Sequence, residues 1–331
     1  MTHKNQFKMP RVAFLGTFHP AVPTFKALAT KGWICIAVLP KEAGYKNDEL
    51  LEAIHESEVP WTYEISDINE YRPNTILAAN YPKIISKKYL QRYLCINTHW
   101  SLLPRWRGVH PTAWAIINGD EHVGLTVHFM EEEFDTGDVL AQRKIKISKD
   151  KSINDLHQEL AEVQASCVLD VFNDYLKTGQ WKTHSQDEAK ATYVPQRKPE
   201  DGLINWEWPT SRIEGLVAAL PLPKYPGAFT YFGNQKIVIS KASAAECPVY
   251  YCTPGQVVRI TKSGHAWIKT GDICLVVQEV LIEGERNTKN AAEVLRLGQK
   301  LGFNPQEEIV NLKQEIQDLQ DQVAKLKQEL K

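Results

Sequence analysis

The chain lacks the apolar runs and the charge imbalance that would commit it to a membrane or to a polyanion. No stretch approaches the roughly 20 apolar residues needed to cross a bilayer, and Met1 to Pro10 is polar and charged, without the apolar region of a secretory signal. A cytoplasmic setting and no membrane partner are expected. Lysine and arginine (39) nearly match aspartate and glutamate (40), giving a formal net charge of -1. That balance offers no general attraction to nucleic acid or to an anionic surface. Gly16 ends the first apolar run, yet no GxGxxG follows it, which argues against a dinucleotide site of the usual kind. The six cysteines include no CxxC pair. Cys247 and Cys252 are close in sequence, but no second Cys or His pair stands at zinc-finger spacing. No metal site is expected, and reduced, mostly buried thiols are.

What the chain does have is enough apolar material, 43% of 331 residues, for two domains with separate cores. Short apolar runs at Arg11–Gly16, Ile34–Leu39, Thr75–Ala79, Leu94–Asn97 and Leu125–Phe129 read as strands. Between them, helical periodicity appears at Val22–Thr30, Asn47–Ser57, Ser86–Arg92 and His110–Asn118. Alternating β and α predicts an α/β fold with a mostly parallel, doubly wound, Rossmann-like sheet. Ser152 with Asp155 forms a capping-box pattern at the head of a long helix, and Gly179 ends it. The first domain is therefore expected over residues 10–178. Residues 179–199 are polar, lysine-rich and aperiodic, as a linker would be. Short alternating strands from Gly227 to Val280 then predict a small OB-like β-barrel over residues 200–302.

One stretch concentrates polar chemistry at the end of a strand: Asn97-Thr98-His99-Trp100-Ser101-Leu102-Leu103-Pro104, followed by Arg107-Gly108. Ligands of open α/β sheets sit outside the carboxyl ends of strands. Asn97 and His99 are two residues apart, so an extended backbone points both side chains the same way. The amide can donate to an oxyanion, and the imidazole can give or take a proton near neutral pH. Asp135 follows another strand, in the turn Asp135-Thr136-Gly137-Asp138, where a carboxylate could orient and charge an imidazole.

The run Asn97-x-His99-x-Ser101-Leu102-Leu103-Pro104-x-x-Arg107-Gly108, with Ile116-Ile117-Asn118-Gly119 and Asp135-Thr136-Gly137-Asp138 in order, resembles the methionyl-tRNA formyltransferase family, which includes sugar N-formyltransferases. Pro195–Trp206 and Tyr225–Phe229 resemble the same family's C-terminal signature, so the likeness covers roughly residues 10–302. The resemblance implies 10-formyltetrahydrofolate as co-substrate, a catalytic set of Asn97, His99 and Asp135, and folate contacts from Ser101, Leu102, Leu103 and Pro104. The set suits attack of an amine on a formyl carbon, with charge building on the formyl oxygen. The pattern leaves the amine proton to either Asp135 or His99.

An acceptor carried by tRNA would call for a basic insertion after the second strand, but Pro40–Asp48 is short and balances acid with base. A small amine, such as an amino sugar on a nucleotide, is therefore the expected acceptor. Initiator methionyl-tRNA is the alternative that the full C-terminal region favours. Hydrolysis of formyltetrahydrofolate is another, weakened because no regulatory domain precedes residue 10, and a non-catalytic folate-binding or assembly module is a third of a different class. Beyond the family signature, Ile309, Leu312, Ile316, Leu319, Val323, Leu326 and Leu330 recur at alternating steps of three and four. This heptad predicts a coiled coil over residues 305–331. β-Branched residues at Ile309, Ile316 and Val323 alternate with leucines, and Glu308, Glu315 and Glu329 flank the seam opposite Lys313 and Lys327. Those choices favour a parallel homodimer.

Overall fold

The computed structural model describes residues 9–42, 44–45, 47–148, 152–244, 246–302 and 305–329. The chain divides into two compact units, Met1–Arg197 and Lys198–Lys331. The first unit runs β1 (Val12–Gly16), α1 (Phe18–Ala29), β2 (Ile34–Val38), α2 (Asp48–Glu56), β3 (Trp61–Thr62), α3 (Ile68–Tyr71), β4 (Thr75–Ala79), α4 (Lys87–Arg92) and β5 (Leu94–His99). It continues with β6 (Arg107–Gly108), α5 (Pro111–Ile117), β7 (His122–Phe129), β8 (Val139–Lys146), α6 (Ile153–Thr178) and β9 (Tyr193–Val194). Seven strands form one sheet in the order β3-β2-β1-β4-β5-β7-β8. The pairs from β3 to β5 are parallel, whereas β5 with β7 and β7 with β8 are antiparallel.

β1 and β4 are buried along their whole length, as expected of parallel strands covered on both faces. On one face Phe14, Leu77, Ile96 and Leu125 meet Phe25 and Leu28 of α1 and Leu160 and Phe172 of α6. On the other, Leu15, Ile36, Ile76 and Cys95 pack with Ile68 and Tyr89. At the head of α6 the Ser152 hydroxyl accepts from the Asp155 N–H while the Asp155 carboxylate accepts from the Ser152 N–H, and Gly179 closes the far end in the left-handed region. Strand β8 was not foreseen, because only Val139 and Ile145 of its eight residues are buried. The cysteines are all free thiols, but only Cys95, Cys167 and Cys274 are buried, fewer than expected.

The segment 179–199 corrects the reading of a linker. The division between units falls after Arg197, and the stretch before it is fastened to the first unit. β9 pairs in parallel with β6, Arg107 donates its backbone N–H to the Thr192 carbonyl at 2.9 Å, and His184 bridges to Val139.

The second unit holds α7 (Thr210–Ala219), β10 (Ala228–Phe232), β11 (Gln235–Ala244), β12 (Val257–Ile260), β13 (Ala266–Lys269), β14 (Cys274–Ile282), β15 (Lys289–Asn290), α8 (Ala291–Val294) and α9 (Pro305–Glu329). Its sheet is antiparallel throughout, in the order β10-β11-β14-β13-β12 with β15 also on β14. α7 lies against β11 and β14. The register of β11 slips around Lys241, which bends a strand. Along α9 the seam residues are exposed, Ile316 by 55% and Leu319 by 53%; Leu330, the last seam position, lies outside the described residues. No described helix is long and apolar enough to cross a membrane.

Candidate active site

The antiparallel pairing of β5 with β7 sets Asn97 directly opposite His128 and His99 opposite Thr126. Asn97 and His99 share one side of β5, as their spacing predicts, and Asp135 enters from the turn between β7 and β8. One carboxylate oxygen of Asp135 lies 3.5 Å from His99 Nδ1, and the other lies 3.6 Å from His128 Nε2. The three residues singled out from sequence therefore converge. Their environment is largely dry: the His99 side chain is 8% exposed and that of Asp135 13%.

The hydrogen bonds assign each ring a tautomer, because a backbone carbonyl can only accept. His99 Nε2 is 2.8 Å from the Trp106 carbonyl, so Nε2 carries the proton in the neutral ring and Nδ1 offers its lone pair toward Asp135. His128 Nδ1 is 2.7 Å from the Phe129 carbonyl, so that nitrogen donates and Nε2 is bare. Asn97 Nδ2 donates to it at 3.2 Å, which fixes the amide and leaves its second N–H free of that bond. Burial pushes the His128 imidazole down to about 4, against the upward pull of Asp135. The ring is thus a neutral acceptor at ordinary pH.

Asp135 adopts φ 57, a left-handed conformation that a non-glycine residue holds only with support. Some of that support is the Gly108 N–H, which donates to its carboxylate at 2.9 Å. Gly137 is needed for a different reason: a Cβ there would stand 2.0 Å from the Phe129 carbonyl oxygen. Trp106 and His110 are also left-handed, with φ 62 and 59, so the segment after β5 turns sharply where the Trp106 carbonyl meets the His99 ring.

Of the residues expected to touch folate, Ser101 and Leu103 are buried and internally bonded. The Ser101 hydroxyl donates to the Arg105 carbonyl, and Thr126 Oγ1 accepts from the Leu103 N–H. Leu102 and Pro104 are half-buried and keep accessible surface. A cavity of about 30 Å³ opens beside Leu102, Trp106, Pro111 and Gly124. Among the described residues no cluster of His, Cys, Asp or Glu suits a metal ion.

Sequence reasoning missed His128. Its signal was a histidine within the apolar run Leu125–Phe129, and only the cross-strand register ties it to Asn97. It also missed Gln186, whose amide donates to the carbonyls of both Asp135 and Gly137, at 2.7 and 2.8 Å.

An open α/β sheet with an amide, an imidazole and a carboxylate meeting beyond strand ends defines an acyl-transfer type of site. The comparisons with known proteins give that class a family. Residues 18–172 match the formyl transferase family and residues 197–296 its C-terminal domain. The chain belongs to the formyl transferase family and is an enzyme that transfers one-carbon groups; the family's co-substrate is 10-formyltetrahydrofolate. It is 32% identical to the methionyl-tRNA formyltransferase of Geotalea uraniireducens over 293 residues, 83% of this chain and 91% of that one. Its identity to the enzyme of that name from Ruminiclostridium cellulolyticum is 30% over 315 residues, 88% and 99% of the two chains. In fold it resembles WlaRD, a sugar 3N-formyl transferase, with a TM-score of 0.62 at 16% identity over 84% of this chain and all (100%) of that one. HypX from Aquifex aeolicus gives a TM-score of 0.56 at 21% identity, covering 87% of this chain and 49% of its own, so the chain spans about half of that protein.

Proposed function

We propose that the protein moves the formyl group of 10-formyltetrahydrofolate onto the amine of a small acceptor, such as an amino sugar on a nucleotide. The convergence of Asn97, His99 and Asp135 beside a neutral His128 carries the chemical part of the reading. The acceptor nitrogen attacks the formyl carbon, and its lone pair becomes the new C–N bond as negative charge moves to the formyl oxygen. The free N–H of Asn97 stabilises that oxygen, a donor of this kind contributing roughly 2.7–4 kcal/mol in rate terms. The bare Nδ1 of His99 takes up the amine proton, and Asp135, 3.5 Å away, stabilises the imidazolium that forms. Collapse then breaks the bond to N10 of tetrahydrofolate, which takes up a proton as it leaves. Leu102 and Pro104, with the buried Ser101 and Leu103 behind them, supply the folate contacts.

A small acceptor is supported by the charge around the segment after β2. Glu42 is paired with Lys83 at 2.9 Å, and the short segment Pro40–Asp48 carries two lysines against two acids, a weak draw for a phosphate backbone. A second reading, initiator methionyl-tRNA as acceptor, is favoured by the names of the relatives that align along most of the chain. A screen of amines with 10-formyltetrahydrofolate, following tetrahydrofolate release, tests both. Release above the water-only rate with nucleotide-linked amino sugars is the expected result, and faster formylation of charged initiator tRNA than of every small amine refutes it.

The antiparallel sheet of the second unit is read as an OB-like barrel, and α9 as half of a parallel coiled coil that makes the protein a cytoplasmic homodimer. The exposed seam of α9 supports the latter. A parallel pair opposes the glutamate flank to the lysine flank, whereas an antiparallel pair sets the lysine flanks of the two helices against each other.

A further inference from the structure

We infer that Gln186, in the polar segment after α6, is a positioning residue that holds Asp135 in its working conformation. The inference rests on the role proposed above for Asp135. Its basis is one amide whose hydrogen-bonding capacity is fully engaged. Gln186 Nε2 donates to the carbonyls of Asp135 and Gly137, at 2.7 and 2.8 Å. Its Oε1 accepts from Arg107 Nε and Nη2, at 3.2 and 2.8 Å. The two carbonyls flank Thr136, so a single side chain grips both sides of the turn whose first residue is left-handed.

Arg107 fixes which way the amide faces. Its side chain is wholly buried (0% exposed), and the guanidinium also donates to both Glu188 carboxylate oxygens and to the Tyr193 hydroxyl. A buried guanidinium presents only donors, so the amide oxygen must turn toward it and the amide NH₂ toward Asp135 and Gly137. The backbone supplies the anchor, since β9 pairs with β6 and the Thr192 hydroxyl accepts from the Trp106 N–H at 2.8 Å. Arg107 therefore links the residue beside the Gly108 donor to the amide that holds the Asp135 backbone. The charged and titratable groups facing the Asp135 carboxylate are His99 and His128, with Arg107 behind them. None of these grips its backbone, and Gln186 does.

The substitution Gln186→Glu separates the role from mere packing, because it keeps the shape and the contact to Arg107 and removes the two N–H donors. The Gly108 amide reports the position of Asp135, its acceptor. The neighbouring Arg107 amide, bonded to the Thr192 carbonyl, reports whether the segment stays docked. Amide exchange of full-length protein by NMR is expected to run at least about tenfold faster at Gly108 in Gln186→Glu, with Arg107 protection unchanged. Gln186→Met removes the donors without adding charge, and with them the Oε1 acceptor of Arg107; Gly108 exchange should accelerate there as well. Turnover should fall between about tenfold and 10²-fold, as for a reacting group displaced by about an ångström, with the KM for 10-formyltetrahydrofolate held within about threefold. Adding Gln186→Glu to Asp135→Asn should cost little more than Asp135→Asn alone. Unchanged Gly108 exchange in both variants, equal acceleration at Arg107 and Gly108, or multiplicative losses in the double variant each overturn the inference. Full turnover in Asp135→Asn would overturn the role of Asp135 itself, and the exchange measurement, which needs no substrate, distinguishes that failure from failure of the Gln186 grip.

Discussion

Acidification should weaken the fold through His128 in a way that a single substitution removes. Burial lowers this imidazole from the ordinary 6.5 to about 4. Between those values the unfolded chain binds a proton that the folded chain refuses, so stability falls as the pH falls across that interval. The contribution is complete above about pH 6.5, declines as pH drops, and is fully lost only below about pH 4. At 1.36 kcal/mol per pH unit, the whole interval amounts to about 3 kcal/mol. Protonation also turns Nε2 from an acceptor into a donor, so the bond from Asn97 Nδ2 is lost in the same step.

His128→Gln keeps an acceptor near the Nε2 position and cannot titrate. Denaturant unfolding of the two proteins from pH 7 to pH 4 is the assay. Carboxylates other than Asp135, which faces His128 at 3.6 Å, lose stability in both proteins alike, so the difference between the curves reports His128 together with its contact to Asp135. The wild type is expected to lose about 3 kcal/mol more than the variant over this range. The difference should also open mainly below about pH 6. Parallel curves would refute the neutral, desolvated state of His128, and with it the orientation assigned to the Asn97 amide.

Asn97→Ala should lower turnover by about 10²- to 10³-fold with folding intact, the loss of one oxyanion donor; near wild-type rates on the true acceptor would rule that role out. Asp135→Asn should be at least as harmful, since it keeps the shape and removes the charge, and steady-state rates on purified protein decide it. Gly137→Ala drives a Cβ to 2.0 Å from the Phe129 carbonyl oxygen and should destabilise the first unit by about 1–3 kcal/mol while depressing turnover; an unchanged melting temperature contradicts the contact. Binding of the acceptor should depend weakly on salt, and a steep loss between low and moderate ionic strength points to tRNA instead. Removing residues from Asn304 onward should convert a dimer to a monomer in sedimentation at micromolar concentration without loss of formyl transfer, and a full-length monomer eliminates the coiled-coil reading.

The parts legible in the sequence are those whose causes are local. The capping pair Ser152 and Asp155 lies within one turn of α6, and its hydrogen bonds form as the spacing predicts. The shared orientation of Asn97 and His99 follows from strand geometry alone. What stayed hidden depends on partners far along the chain. The Thr210 N–H at the head of α7 is met by the carboxylate of Asp272, at 2.8 Å. Burial alone would raise that carboxyl, yet hydrogen bonds from Thr210, Ile273 and Thr270 pull it down to about 2; no local pattern announces such a cap. The same holds for residues 179–197, whose polarity is what a linker would have and also what a segment needs to satisfy a buried guanidinium. Arg107 requires oxygen acceptors from Gln186, Glu188 and Tyr193, so an aperiodic polar stretch was the right composition for a docked strut. Periodicity detects apolar faces and is blind to segments held by side-chain hydrogen bonds. Asn97, His99 and Asp135 were readable because they lie in a family motif, and no such motif marks the amide that grips one of them.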